Sequence, residues 1–589
     1  MILSVCLLTP LVAAAIILLV PARHTLVIRL CALAGAAVPF CLACMLFMDH
    51  GRADLGDSAA RYFTARTSEV LEEVSSNPND AHRVILHSTL LNHPSIDDPI
   101  FAELERAVTP SSRTHKDLYF ESLEYALASR SALAEGIRST EYRPWIPALN
   151  VHWFLGVDGL SLPLVWLVCL LALACVLYSR EMSERVKSFH VLLLLTLAGL
   201  IGALVSLDLF LLVCSWQLVL LPLFLLVGGW GGEGKGSAAL ELFLHGQAAC
   251  MVFFFVLLAY HFTPSDIQST NLLALAALAQ DGSTFSLDFQ TFALLCLLAV
   301  VAVFLPIFPL HGWMLRAHHE APPAASALLV TCTMVMGGYA LARIGLGLCP
   351  DAFASDWLPL ALGSLGLVNL VHGTLAARAQ ERLGPALVYL LMAQSGIVLV
   401  AYGALTQSSL AGAVLHMVVQ GALFAFLFLA TGALADRGGT LDRAGLADVG
   451  ARAPRLAWLT VVALLGVAGA PGLGAFISDL TILVGAWGSE EVALARGQSA
   501  FLPHWIVVLL LLAIPLVAAA ILPWALSLLV RVRSGGEEEV SLPVSDATLR
   551  EQAALLPLLA AAIVLGILPQ LGFDVIYPAA RTMASLVDR

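Results

Sequence analysis

Several ionisable side chains stand inside strongly apolar stretches of this chain, where a charge is costly and often serves ion or proton transfer. Glu241 and His245 are four residues apart, so on a helix they would share one face and could pass a proton or form a charged pair. His416 and His372 each stand alone in an apolar stretch. The structural alternative is a pair without a relay function for Glu241 and His245, and a hydrogen bond between packed helices for His416 and His372. They are candidate proton carriers, and both interpretations stay open at this stage.

The densest group of such residues lies in the segment PLHGWMLRAHHEAPPAAS at 309–326. His311, His318 and Glu320 could take up protons from water at a membrane surface. The same groups could instead clamp a surface loop through hydrogen bonds. Asp158 and Asp208 are different, because each precedes an apolar helix and is expected to cap its N-terminus.

The elements that must position these residues follow from composition. The 589 residues are 59% hydrophobic and 12% charged, whereas soluble domains carry about 25% charged residues. The apolar stretches recur along the whole length, so a single anchor or signal peptide is excluded. We predict an all-α polytopic membrane protein of about fourteen transmembrane helices, near 1–21, 26–48, 157–178, 190–207, 209–230, 238–262, 288–310, 321–349, 356–377, 384–406, 408–435, 455–484, 503–530 and 552–573.

Lys and Arg are concentrated in one of the two alternating sets of short loops between these spans. Basic loops stay on the cytoplasmic side of a membrane, so we expect this set to face the cytoplasm. An even number of spans then puts both termini on the exterior side, which suits a bacterial inner (plasma) membrane.

Residues 49–142, between spans 2 and 3, do not have the composition of a membrane segment. They carry sixteen Asp or Glu against nine Lys or Arg, and the stretches 101–108 and 118–134 have helical spacing. We predict an exterior (periplasmic) α-helical insertion with an unknown partner. The flanking regions are then spans 1 and 2 in 1–48, a core of spans 3–13 in 143–535, and a cytoplasmic loop with the last span in 536–589.

Two spans contain residues that break a helix. FLPIFP at 304–309 has two prolines, and GAPGLG at 469–474 combines proline with glycines. Backbone freed at membrane depth must be buried in protein or line a wet cavity, and paired broken helices are typical of ion pathways. A kink used only for packing is the alternative.

Redox chemistry finds no support in the sequence. It contains no nucleotide-binding loop, haem motif or paired CxxC, and its one CxxC, at Cys41 and Cys44, lies in an apolar span. We therefore expect packing cysteines, no metal site and no cofactor in this chain, and the net charge of −12 gives no reason to expect nucleic acid.

The segment 309–326 resembles a motif of the antiporter-like, proton-translocating subunits of respiratory complex I, P-hydrophobic-H-x-W-L-P-D-A-H-x-E-A-P-T-x-x-S. This family is related to Mrp-type cation/proton antiporters and to membrane-bound hydrogenase subunits. Further matches are GVDGLS at 156–161, SLDLF at 206–210, SWQ at 215–217 and 469–479, so the resemblance covers roughly 145–535. The run 216–232 is most similar to the M-type branch. The resemblance implies fourteen helices with two inverted five-helix repeats.

The resemblance also implies a chain of titratable groups through the membrane: a Glu in span 5, Lys in spans 7 and 8, His in spans 10 and 11, and a Lys or Glu in span 12. Asp479 matches the last of these. The other positions carry groups that do not titrate, namely Gln217, Phe304, Val335, Gln394 and Gln420. We therefore hypothesise that the usual central proton path does not operate in this chain.

The function implied is that of a membrane-arm subunit of a complex I-type NADH-quinone oxidoreductase. It would contribute to proton translocation or, because most of the family's titratable residues are replaced, mainly to scaffolding and coupling. Its partners would be other antiporter-like subunits and the bilayer, with flavin and iron–sulfur clusters in partner subunits. The alternatives are a membrane subunit of a smaller cation/proton antiporter or inorganic-carbon uptake system, and a purely structural membrane protein.

Overall fold

The computed structural model describes residues 1–50, 58–66, 124–179, 182–263, 268–282, 284–437, 440–495, 501–529 and 546–587. Thirteen described helices are long and apolar enough to cross a membrane. We number them by the expected order of spans: 1, Ile2–Leu19; 2, Thr25–His50; 3, Ser161–Tyr178; 4, Val186–Val205; 5, Leu209–Trp230; 6, Lys235–Phe262; 7, Leu287–Phe304; 8, Pro323–Leu346; 9, Trp357–Ala379; 10, Leu383–Ala404; 11, Gln407–Ala435; 13, His504–Leu529; and 14, Leu549–Ile567.

The remaining expected span is broken into two shorter apolar helices, Pro454–Val467 and Gly474–Trp487, which together form span 12. Span 7 likewise ends at Phe304, and a second helix, Gly312–Glu320, continues after the two prolines. Both predicted breaks are therefore present, and the prediction of an all-α polytopic membrane protein is confirmed. The inversion of the two five-helix repeats stays a prediction.

Spans 8 and 11 form the centre of the molecule, since their apolar segments are buried over the whole length. Span 8 is not a regular α-helix, because Thr331–Val335 and Leu341–Leu346 are π-helical turns. Such turns insert an extra residue and often mark functional positions. The outer spans bury only part of their surface and expose Leu, Val and Phe side chains, as lipid-facing helices do.

Hydrogen bonds tie the loops of the Lys- and Arg-rich set together on one side of the molecule, which we call the basic face. Arg29 donates to the carbonyl of Met182 (2.9 Å), and the Trp230 indole donates to that of Glu184 (2.9 Å). Arg437 binds both carboxylate oxygens of Glu551 (2.8 and 2.7 Å). The other side is called the opposite face below, and its assignment to the exterior stays a prediction.

An antiparallel hairpin on the opposite face requires a correction to the predicted insertion. Strands β1 (Arg138–Ile146) and β2 (Val151–Val157) pair with Tyr142 opposite Phe154. Residues 138–142 are thus part of a strand and not of an α-helical insertion, because they pair with β2 and the Tyr142 ring packs across the pair against that of Phe154 (5.2 Å). Residues 59–66 and 124–130 are helical, while the predicted helix 101–108 and part of 118–134 lie outside the described residues.

After span 14, a second helix, Gln570–Ser585, runs along the opposite face, so the last span ends at Ile567 and not near 573. The short helices Leu272–Asp281, Pro350–Phe353, Arg443–Arg452 and Ser489–Ala495 complete the described helical structure. These elements cover span ends on both faces.

Candidate functional site

A histidine and an aspartate meet in the interior between spans 11 and 12. The Nδ1 atom of His416 is 2.9 Å from a carboxylate oxygen of Asp479 and 3.2 Å from the Ser478 hydroxyl oxygen. His416 is fully buried and Asp479 is 6% exposed. An acid and an imidazole at this distance can share a proton. The structure thus brings together two residues that the sequence could place only on separate helices.

The break of span 12 makes room for this pair. Gly469 has a left-handed backbone (φ +73°), and a Cβ built on it would lie 3.2 Å from Asp479. Residues with a side chain are strained in this conformation, so glycine is suited to the position on both counts. The polar atoms nearby are incompletely paired: His416 Nε2, Gln394 Oε1 and both terminal atoms of Gln420 are buried without a protein partner among the described residues.

Gln394 in span 10 nevertheless has a definite role at this break. Its amide donates to the carbonyl of Val467 (3.0 Å), where the first half of span 12 ends. This carbonyl has lost its helical partner because the helix stops. The amide that stands where the resemblance implies a histidine therefore satisfies the freed backbone.

Span 7 has a matching arrangement that sequence reasoning missed. Asn369 in span 9 donates to the carbonyls of Pro306 (3.1 Å) and Met392 (2.9 Å) and accepts from the Phe308 amide (2.9 Å). The Trp313 indole donates to the carbonyl of Val303 (3.2 Å). The available signal was a single Asn inside the apolar span 9, since a polar group at membrane depth needs a hydrogen-bond partner.

The other replaced positions form no polar chain. Phe304 is fully buried with its ring 5.0 Å from that of Trp216, which also packs against Phe253 at 5.2 Å. Val335 is buried within the first π-helical turn of span 8. Gln217 is only half-buried, on the side of span 5 that exposes Leu221 and Leu225.

Glu241 and His245 do not contact each other through their side chains in the structure. Glu241 pairs with Arg316 of the helix after the span 7 break. The His245 ring bonds to the backbone carbonyl of Glu241 (2.9 Å) and is exposed on the outer surface of span 6. The relay considered from the spacing stays a prediction without a direct contact to support it.

The titratable residues of 309–326 separate into three environments. His318 is buried, stacks on Phe428 (4.5 Å) and bonds through Nδ1 to the Ser326 hydroxyl (2.7 Å). Glu320 accepts from the Gly234 amide (2.9 Å), which ties this helix to the loop between spans 5 and 6. The His311 ring lies 5.5 Å from that of His372 and 6.1 Å from that of Tyr389.

Two adjoining cavities open beside these residues on the basic face. Their volumes are ≈ 340 and ≈ 380 Å³, and His319 and Pro385 line both. Glu320 lines the first cavity and His318 the second. Water in the cavities could reach either residue, so proton entry and loop clamping both remain compatible with this geometry.

On the opposite face, Asp208 caps span 5 as predicted. Its carboxylate accepts from the amides of Phe210 (2.9 Å), Leu211 (3.1 Å) and His152 (3.0 Å) and from the Thr270 hydroxyl (2.6 Å). Burial raises the pKa of Asp208 to about 6, although these hydrogen bonds act in the other direction.

Asp158 caps span 3 through the amides of Leu160 (3.1 Å) and Ser161 (2.9 Å) and also pairs with Arg343 of span 8 at 2.6 Å. Burial alone would raise the pKa of Asp158, but the Arg343 guanidinium holds it below its ordinary value. Arg343 is another residue that the sequence analysis missed, although an Arg inside an apolar stretch is a clear signal of a buried partner.

Buried polar side chains, two broken helices and a lipid-facing exterior define a polytopic membrane protein with discontinuous transmembrane helices. A comparison with known families then identifies it further: the chain belongs to the NADH:quinone oxidoreductase/Mrp antiporter transmembrane family, whose model matches residues 206–500. The expected resemblance to antiporter-like complex I subunits is thereby confirmed.

Curated relatives with similar sequences support the M-type branch. The NAD(P)H-quinone oxidoreductase chain 4 of Gloeobacter violaceus is 32% identical over 349 residues, which are 59% of this chain and 65% of that relative. The chain 4 2 protein of Synechococcus sp. (strain JA-3-3Ab) is 30% identical over 433 residues, which are 72% of this chain and 77% of that protein. The match thus spans just under two thirds of the first relative's length.

Solved structures share the fold. A chain of respiratory complex I from Thermus thermophilus with bound NADH has a TM-score of 0.73 at 21% identity and is covered completely, as is this chain. A chain of the Mrp complex from Dietzia sp. DQ12-45-1b has a TM-score of 0.62 at 20% identity, over 80% of this chain and 49% of that one. Both belong to multi-subunit membrane complexes.

Proposed function

We propose that this chain is a membrane-arm subunit of a complex I-type NADH-quinone oxidoreductase in which the central proton path is interrupted. The subunit then serves mainly as a scaffold and coupling element. Family membership and relatives named NAD(P)H-quinone oxidoreductase chain 4 support the choice of complex. The flavin and the iron–sulfur clusters belong to partner subunits, and this chain contributes no cofactor.

One observation carries the interruption: the contact between the Trp216 and Phe304 rings. The rings are 5.0 Å apart. Phe304 stands where the resemblance implies the Lys of span 7, and Trp216 directly precedes Gln217, which stands where it implies the Glu of span 5. Neither ring binds a proton at physiological pH, and the apolar Val335 extends the barrier to span 8. A proton entering at the basic face has no titratable side chain to occupy at these positions.

Asp479 and His416 are then a remnant of the family's path and pass no proton across the membrane. The complex would sit in a bacterial plasma membrane, with other membrane-arm subunits as neighbours and with the basic face toward the cytoplasm. The basic loops support this orientation.

The test is the number of protons moved per NADH oxidised by the native complex in sealed vesicles. Asp479→Asn should leave both this number and the rate of NADH oxidation unchanged, as should Asp288→Asn, a control at an exposed position. Loss of about one proton per NADH in Asp479→Asn alone would overturn the proposal. After such a loss, an unchanged number of protons per NADH in the double variant Gln217→Glu/Phe304→Lys would not rescue the proposal.

A second candidate is the membrane subunit of a smaller cation/proton antiporter, which the similarity to the Mrp complex supports. Co-purification separates the two candidates. Subunits with flavin and iron–sulfur clusters are expected from the first, and their absence from an intact, active complex would favour the second.

A further inference from the structure

We infer that Asn369 and Gln394 are positioning residues that hold the two helix breaks in one fixed shape, so that spans 7 and 12 are rigid joints and not hinges. The inference deepens the proposed function and rests on it for its purpose, because a coupling subunit must transmit displacement without bending. The hydrogen bonds of Asn369 and Gln394 do not depend on which function the chain has.

Both the nitrogen and the oxygen of the Asn369 side-chain amide form hydrogen bonds at the break of span 7. Its nitrogen donates to Pro306 and, across the contact between spans 9 and 10, to Met392, while its oxygen accepts from Phe308. Two of these partners, the Pro306 carbonyl and the Phe308 amide, are backbone groups that lie in the break, between the two helices of span 7. One side chain therefore fixes both the break and its distance from span 10.

Gln394 does the same for span 12 through Val467. It stands on span 10, less than one helical turn beyond Met392, so both breaks are attached to the same short stretch of that span. Span 10 is itself held close to span 9, because a Cβ on Gly396 would come within 2.3 Å of the Gly366 carbonyl oxygen. Small residues at such a contact permit this approach.

The chemistry of the amide explains why these two residues suit the role. A freed carbonyl in a dry interior needs a donor, and an amide supplies one at every pH without carrying charge. Asn369 is fully buried and Gln394 is 1% exposed, so water does not substitute for them. At position 394 the loss of the histidine implied by the family thus replaces a proton carrier with a fixed link.

Backbone hydrogen exchange in the purified complex, followed by mass spectrometry of peptides over 303–312 and 465–475, tests the inference. Gln394→Met keeps the size of the side chain but removes the donor, and it should speed exchange at 465–475 roughly fivefold to tenfold. Asn369→Leu should likewise speed exchange at 303–312. Gln420→Met is the matched control, because this buried amide has no partner among the residues that the structure describes, and it should change neither peptide.

Gln394→His should restore slow exchange, since a ring N–H can donate to the same carbonyl. If Asn369→Leu does not assemble, Asn369→Asp replaces it, because it keeps the acceptor for Phe308 but loses both donated bonds. Exchange at wild-type rates in the Gln394→Met and Asn369 variants, or equal acceleration by Gln420→Met, would overturn the inference. A loss of about one proton per NADH in Asp479→Asn would overturn the proposed function, but it would leave these exchange rates unchanged.

Discussion

The role of single buried polar residues in this chain follows from the hydrogen bonds that they form and from their removal from water. Asp208 accepts four hydrogen bonds at the start of span 5, yet burial still makes its ionised form unfavourable. Gln394 illustrates the reverse, since an uncharged amide completes a backbone hydrogen bond at membrane depth. In both cases, desolvation decides what the side chain can do.

Asp208 should make stability depend on pH. Its pKa rises from 3.8 to about 6 on folding, so between these values the folded state binds more protons than the unfolded state does. The free energy of unfolding should therefore fall by about 3 kcal/mol as pH rises from about 4 to about 6. Above pH 6 it should stay level. Thermal unfolding of the solubilised protein over this range measures it.

Asp208→Asn should remove this slope, although it also loses an acceptor. The exposed Asp288→Asn variant serves as the control and should keep the wild-type slope. An unchanged slope in Asp208→Asn would show that other groups produce the dependence.

At the scale of elements, buried polar contacts decide how the spans are joined. Spans 3 and 8 are linked by the Asp158–Arg343 pair, and spans 7 and 9 by Asn369. The apolar faces of these helices would fit many neighbours, because lipid is as apolar as leucine. Directional contacts between specific residues select one arrangement.

The Asp158–Arg343 pair allows a direct measurement of such a link. Arg343→Met leaves a buried carboxylate without its partner and should lower the free energy of unfolding by about 3–5 kcal/mol. Adding Asp158→Asn should recover much of this loss, because the unpaired charge is gone while an acceptor for the cap of span 3 remains.

Unfolding of the two single variants and the double variant in detergent completes the cycle. Arg452→Met, which breaks an exposed pair with Asp448, should cost less than about 1 kcal/mol. Additive effects in the Asp158 and Arg343 variants would refute a coupled pair.

At the scale of the whole molecule, the two faces are built differently. Charged loops connected by hydrogen bonds cover the basic face, whereas the hairpin and the described ends of the insertion cover the opposite face. Glu124 is central there, since it accepts from Asn150 (3.0 Å), Asn271 (3.1 Å) and Tyr142 (3.2 Å). It therefore attaches the helix 124–130 to the membrane domain.

Replacing Glu124 should loosen this attachment. Glu124→Ala removes the acceptor of the buried Asn271 amide and of the part-buried Tyr142 hydroxyl and Asn150 amide, at a cost of about 1–3 kcal/mol for a buried donor left unsatisfied. We expect faster proteolytic cleavage within 124–137, with no change in the membrane spans. Glu135→Ala, at an exposed position at the end of the 3-10 turn Ala132–Glu135, is the control. Equal cleavage of both variants would exclude this role for Glu124.

The sequence by itself determined the approximate positions of the spans and both helix breaks, and it is the basis for the predicted replacement of the family's titratable residues. Each of these is a local property: an apolar run of sufficient length, a proline that removes a helical hydrogen bond, a residue type at a motif position. The helix caps at Asp158 and Asp208 are equally local.

Only the tertiary structure decided which polar residues meet. His416 and Asp479 are on different helices, Glu241 pairs with Arg316 and not with His245, and Asn369 serves a break in a span two helices earlier. Helix rotation and packing set these contacts, and neither can be read from apolar spans, whose hydrophobicity is nearly uniform around the helix axis. The hairpin over 138–157 could not be predicted from the sequence for a related reason, because strand pairing depends on residues that are distant along the chain.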